Sequence, residues 1–263
     1  MVAKLAVRDA GKRYGDLEAL KGCSFDVADK TIVSIVGPSG CGKTTLLWSM
    51  SGLHSLTLGE VDLDGQRITA PRPEIGLVFQ EANLLPWRNL MDNILFPFEV
   101  KHQTPDMAWI THLMDRVGLT GFEKRMPREL SGGMQQRGAI VRALSLRPQV
   151  LLMDEPFGAL DAFTREEMNR LVEEIWLETK TTIVFITHSI EEAIFLSDRV
   201  IVLTKRPGRV HADYPVNLPR PRSLETMASR EVFDLMNQIK ADIYGMSSMR
   251  PRPVAQIGGG VSS

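Results

Sequence analysis

The stretch Gly37-Pro38-Ser39-Gly40-Cys41-Gly42-Lys43-Thr44 limits the possible folds of this chain more than any other. It fits the pattern G-x-x-x-x-G-K-[ST], directly after the apolar run 32–36 and before a helical stretch. Glycines let the backbone bend until several N–H groups face one anionic centre, and the start of a helix adds partial positive charge there. Lys43 can neutralise β- and γ-phosphate oxygens, and the Thr44 hydroxyl can hold Mg²⁺. A plain glycine-rich turn is the bland alternative, which the strand–loop–helix context disfavours. Cys41 occupies a free position of the loop. The simple reading is a small side chain filling permissive space. The sharper one is a thiol whose pKa is lowered by Lys43 and the helix end, and which is therefore sensitive to alkylation.

A length of 263 residues suits one main unit carrying insertions. With 43% hydrophobic and 24% charged residues, general disorder is excluded. Thirty-one basic residues against 32 acidic ones give a net charge of -1, so no overall basic field draws the chain to nucleic acid or an anionic membrane. Two cysteines, Cys23 and Cys41, are too few for a disulfide scaffold and point to a reducing compartment. Met1 to Tyr14 carries no signal-peptide apolar region, and the longest uncharged stretch, 44–59, is too polar and too short to span a bilayer. The expectation is a chain that meets a membrane only through a partner.

No repeat of 20 to 50 residues is visible. The first seventy residues read as β-rich, with strands at 24–28 and 31–36 and a hairpin turning at Asp64-Gly65. Residues 105–117 have helical spacing, with Thr104 as the expected cap. A second helix is predicted over 132–146. Val150-Leu151-Leu152-Met153 is a continuous apolar run, as in a strand buried on both faces of a parallel sheet. Thr164 with Glu167, and Ser189 with Glu192, form capping-box patterns for two further helices. Runs at 182–187 and 199–204 complete an alternation of strands and helices, which defines an α/β class with a parallel sheet. The helix-rich part, 85–145, interrupts that alternation as an inserted subdomain. Beyond Pro215 lies a proline- and arginine-rich extension, 216–263, with a helix near 225–243 and a last dozen residues expected to be disordered.

Asp154-Glu155 follows four apolar residues, where the strand should emerge at the carboxyl edge of the sheet. Two adjacent carboxylates there are costly unless they meet a cation or polarise water. Asp154 suits an Mg²⁺ shell, and Glu155 suits a base for an attacking water. His188 ends the next strand, where a γ-phosphate contact can form. Gln80, after the run 75–79, could bind Mg²⁺ or water. Alone, a solvated acidic pair, an incidental histidine and a glutamine mean little; beside the phosphate loop they form a set.

Leu130-Ser131-Gly132-Gly133-Met134-Gln135-Gln136-Arg137 decides between families. Ser131 can cap the following helix, and two glycines leave its amides bare. With the loop at 37–44 and the Asp-Glu pair, this segment resembles the signature of ATP-binding cassette (ABC) proteins, over about residues 5–215. The resemblance implies a P-loop NTPase with a RecA-like parallel core, an N-terminal antiparallel β subdomain and an inserted helical subdomain, together with ATP and Mg²⁺ as cofactors. On it, Tyr14 is the adenine-stacking aromatic, Gln80 the Q-loop, Gly158-Ala159-Leu160-Asp161 the D-loop and His188 the switch histidine; Thr45 joins 37–44 in the nucleotide site. It further implies a head-to-tail homodimer, or a dimer with a paralogous ATPase subunit. Each ATP would be held by the phosphate loop of one copy and by Ser131 and Gly133 of the other. The fifth signature position departs from the commonest family pattern, with Met134 where glutamine is usual.

Together with Asn83-Leu84-Leu85-Pro86-Trp87 and the run 153–161, the signature is similar to ATPase subunits of nitrate/sulfonate/taurine-type importers. That implies a peripheral motor on the cytoplasmic face of the inner membrane, a separate transmembrane permease and, indirectly, a solute-binding protein. Residues 84–87 could form an apolar groove for the permease, with Trp87 partly exposed, or simply core of the helical insert. An ABC ATPase acting on nucleic acid or ribosomes is the alternative. The near-neutral charge, the absence of long coiled coils and the single cassette argue against it, and no nucleic-acid partner is expected. A P-loop kinase is disfavoured by the signature and D-loop.

Overall fold

The computed structural model describes residues 3–248. The expected disorder of the last dozen residues lies outside them. Two long strands, β1 (Ala3–Tyr14) and β2 (Leu17–Ala28), open the chain as an antiparallel pair. Then come β3 (Ile32–Val36), α1 (Lys43–Met50), β4 (Leu58–Leu63), β5 (Gln66–Arg67) and β6 (Ile75–Val78). β4 pairs with β1, and β5 returns along β4, so the first sheet runs β2-β1-β4-β5. The β4–β5 turn falls at Asp64-Gly65, both at positive φ (50° and 75°), as a two-residue hairpin requires.

The helical insert comprises α2 (Leu90–Lys101), α3 (Met107–Arg116), a 3-10 turn at Pro127–Glu129 and α4 (Gly132–Ser145). After it come β7 (Val150–Asp154), α5 (Ala162–Thr179), β8 (Thr182–Ile186), α6 (Ile190–Leu196), β9 (Arg199–Leu203) and β10 (Val210–Pro215). The second sheet has the order β10-β9-β3-β8-β7-β6, parallel throughout except for β10 at its edge. Every residue of β3, β7 and β8 is buried. Alternation along β7 sends Leu151 and Met153 to a core shared with α4 and α5. Val150 and Leu152 go to a core shared with α1 and the first sheet. Each such side chain contributes about 1.5–3 kcal/mol by leaving water. The parallel sheet is therefore a layer covered on both faces, and its carboxyl edge is the natural place for a site.

Two expected caps are corrected. Helix α3 begins at Met107 with Asp106 as its cap, which accepts from the Trp109 amide at 3.0 Å, so Thr104 does not cap it. Helix α5 begins at Ala162. Asp161 accepts from the amides of Phe163 and Thr164, both at 3.1 Å, and Thr164 donates its hydroxyl to Asp161 at 2.8 Å instead of capping a helix of its own. In α3 the carboxylate lies closer to the first turn than Thr104 does, and in α5 Thr164 already lies inside the first turn, so in both a carboxylate takes the bare amides. Ser189 caps α6 as expected, accepting from the Glu192 amide.

The extension forms α7 (Leu224–Met227) and α8 (Arg230–Ser248) where one helix was expected. Val232 and Ile239 pack against Val36, Ile194 and Val202, so the extension shares the core of the main unit. Arg220 fastens the strap before α7: it reaches Glu173 at 2.9 Å and Asp198 at 3.0 Å and lies over the Trp176 ring.

Candidate nucleotide site

The loop after β3 is shaped by its glycines. Gly40 and Gly42 have φ of 71° and 104°, and a Cβ on Gly42 would lie 2.8 Å from Leu20 Cδ2 and 2.9 Å from the Ala19 carbonyl. Gly42 occupies the cap position of α1 with no side-chain acceptor, so the first amides of that helix are free for an anion. Lys43 is buried and folds back over the loop, its Nζ donating to the carbonyls of Gly37 (3.1 Å) and Pro38 (3.3 Å).

At the carboxyl edge, strand ends bring the acidic groups to this loop. Thr44 Oγ1 donates to Asp154 Oδ1 at 3.2 Å. Burial holds the Asp154 carboxyl above its ordinary pKa range, opposed by the Thr44 hydrogen bond. Glu155 lies 3.9 Å from Lys43 Nζ through one oxygen and 3.1 Å from His188 Nδ1 through the other. Its backbone sits at φ 42°, which costs on the order of 1 kcal/mol for a residue with a Cβ. Its amide donates to the Ile186 carbonyl at 2.9 Å, which holds it there.

Among the described residues no group of three or more His, Cys, Asp or Glu is arranged to hold a metal. The hydroxyl of Thr44 and the carboxylate of Asp154 nevertheless fit Mg²⁺, which takes one or two protein oxygens and completes its shell with phosphate and water.

A cleft of about 290 Å³ opens over the loop, lined among others by Tyr14, Ser39, Lys43, Thr44, Glu155 and Arg206. Gly40, Gly42 and Thr45 also face it. Tyr14 is 42% exposed at its mouth, with its hydroxyl 3.0 Å from His54 Nδ1 and Lys12 Nζ 5.1 Å from its ring centroid. Other expected residues lie apart from the cleft. Gly37 packs beneath the loop, where a Cβ would meet the Leu203 carbonyl at 2.9 Å, and Pro38 supplies its carbonyl to Lys43. Gln80, just past β6, places its amide near Gly158. Ser131 caps α4 by accepting from the Met134 amide, Gly133 is pressed against Thr164, and the Asp161 carboxylate is engaged by the α5 cap, which lowers its pKa.

The sharper expectation for Cys41 is overturned. Its side chain is fully buried, and desolvation outweighs Lys43 and raises its pKa. Trp87 is 71% exposed, as the groove reading requires, while Leu84 is buried in the helical core. Two residues near the cleft were not foreseen, His54 and Arg206. Each acts through a contact distant in sequence, to Tyr14 and to Gly40, that no local pattern announces.

A parallel sheet with a phosphate-binding loop at one strand end and a carboxylate pair at another defines a P-loop nucleotide hydrolase. The family described as ABC transporter matches residues 20–158. The aliphatic sulfonates import ATP-binding protein SsuB of Bacillus cereus is 42% identical over 84% of this chain and 88% of its own. The taurine import ATP-binding protein TauB of Roseobacter denitrificans is 48% identical over 80% of this chain and 81% of its own. Among solved structures, a dimeric bacterial ABC transporter cassette, MJ0796, superposes with a TM-score of 0.72 at 31% identity, covering 81% of this chain and 99% of that one. The chain belongs to the ABC transporter family and is one of its ATPases.

Proposed function

We propose that this chain is the motor subunit of an importer, hydrolysing ATP between two copies of itself, or itself and a paralogous subunit, to drive a separate permease. One observation carries the reading: Lys43, Thr44, Asp154, Glu155 and His188 converge from three strand ends onto one cleft edge. The loop amides and Lys43 hold the polyphosphate. Thr44 and Asp154, joined by Gln80, would hold Mg²⁺, which would supply charge neutralisation there. Glu155 accepts a proton from the attacking water, and His188 orients Glu155 and contacts the γ-phosphate. Tyr14 stacks on adenine.

Ser131 and Gly133 do not line the cleft of their own chain, which supports their use on a second copy's nucleotide. Asp161 helps hold the junction. ATP bridges the two copies, and loss of the γ-phosphoryl group releases them; that difference is the force available to a permease. Trp87 marks the groove where the permease docks on the cytoplasmic face. Among the described residues no helix is long and apolar enough to cross a membrane. The names of the relatives, aliphatic sulfonates and taurine, support a small sulfonate as cargo; none of them favours nucleic acid. The test is ATP hydrolysis by the chain co-purified with its permease in lipid. Sulfonate-loaded solute-binding protein should stimulate turnover and Glu155→Gln should abolish it, whereas stimulation by DNA or RNA instead would overturn the reading.

A further inference from the structure

We infer that Arg206 is a further nucleotide-binding residue, which clasps the phosphate loop through one nitrogen and offers the rest of its guanidinium to the polyphosphate. This rests on the reading of the cleft as an ATP site.

The loop between β9 and β10 is fastened to the site on several sides. Gly208 donates its amide to the Ala19 carbonyl at 2.9 Å, and its carbonyl accepts from the Lys21 amide at 3.0 Å and from Cys23 Sγ at 3.3 Å. Thr204 Oγ1 closes the loop on the Pro207 carbonyl at 3.0 Å. A Cβ at Gly208 would lie 2.2 Å from the Cys41 carbonyl, so this backbone rests directly on the phosphate loop. Arg206 thus projects from a fixed support. Its Nε donates to the Gly40 carbonyl at 2.9 Å, and its Nη2 lies 2.9 Å from where a Gly40 Cβ would be.

Two consequences follow. The Nε bond steadies Gly40 in its left-handed conformation, within a loop of which Ser39, Gly40, Gly42 and Lys43 line the cleft. Arg206 lines that cleft, its Nη2 lies beside Gly40, and among the described residues no carboxylate is in ion-pair contact with its guanidinium. A planar guanidinium with free donors beside the phosphate loop suits phosphate oxygens better than a base or a ribose. Lys43 then serves one flank of the loop and Arg206 the other.

Competition against a fluorescent ATP analogue, with ATP and with inorganic tripolyphosphate, tests this. Arg206→Ala and Arg206→Gln should each weaken both ligands about tenfold, and Arg206→Lys should recover part of the loss. Glutamine can still donate to the Gly40 carbonyl, so wild-type binding of tripolyphosphate by Arg206→Gln would make Arg206 a loop fastener only and overturn the assignment. Weakened ATP with unchanged tripolyphosphate would move the contact to base or ribose and overturn it too. Failure of the ATP-site reading looks different: wild-type protein that binds no ATP, or Lys43→Ala that binds it normally.

Discussion

Lys43 is held ready by loop carbonyls, which hydrogen-bond its ammonium without neutralising its charge. An arriving polyphosphate exchanges those neutral acceptors for anionic ones, and charge-assisted bonds are about twice as strong. Lys43→Ala is therefore expected to weaken ATP at least about tenfold in equilibrium binding, with unfolding temperature in the absence of nucleotide little changed. The thiols make the opposite point, that position in sequence does not settle chemistry. Cys41 lies in an electropositive loop yet is walled off, and burial pushes Cys23 up to about 11. Iodoacetamide at pH 8, read by mass spectrometry, should label both slowly in the folded protein and quickly in denaturant. Labelling of Cys41 within minutes would contradict its burial. Residue types legible in sequence were those whose chemistry is rare at their spacing, such as Lys43, Asp154 and Glu155. His54 and Arg206 were not, because a common side chain gains its role only from what the fold sets beside it.

At the scale of elements, buried strands were plain in the sequence because a sheet covered on both faces needs unbroken apolar runs. β1 and β2 were harder. Each has 12 residues, their pairing carries several register shifts, and only part of each is buried, so no clean alternation survives. Helix starts misled by two or three residues at the two places where a threonine lies close to a capping aspartate. Asp161 serves two amides and one hydroxyl, whereas Thr164 only donates back to it. Asp161→Ala should then cost about 1 kcal/mol in urea unfolding, and Thr164→Ala distinctly less. Equal costs would mean the α5 cap is shared. The same helix carries Glu173, which binds Arg220 and the Arg222 amide, so the start of α5 is tied through its far end to the C-terminal strap.

For the whole molecule, the decisive fact is an asymmetry. Tyr14, Lys43, Thr44 and Glu155 line the cleft of their own chain, and Asp154 and His188 are joined to Thr44 and Glu155 by hydrogen bonds, while Ser131 and Gly133 sit at the start of α4 outside its lining. On the proposed mechanism, Glu155→Gln removes the base and leaves the phosphate-holding groups, so ATP should persist and accumulate dimers in light scattering, with ADP leaving monomers. Adding Ser131→Arg would, on the same reading, place a bulky side chain where the partner's γ-phosphate is to be met. That double variant should bind ATP as a monomer with wild-type affinity and fail to dimerise. Ser131 also caps α4, so an unchanged helical signal in circular dichroism must accompany the result. Dimers that form regardless of Ser131→Arg would place the junction elsewhere on the surface. Turnover per subunit that holds steady on dilution far below the dimerisation range would show one copy to be sufficient, and the division of labour between α4 and the phosphate loop would then need another explanation.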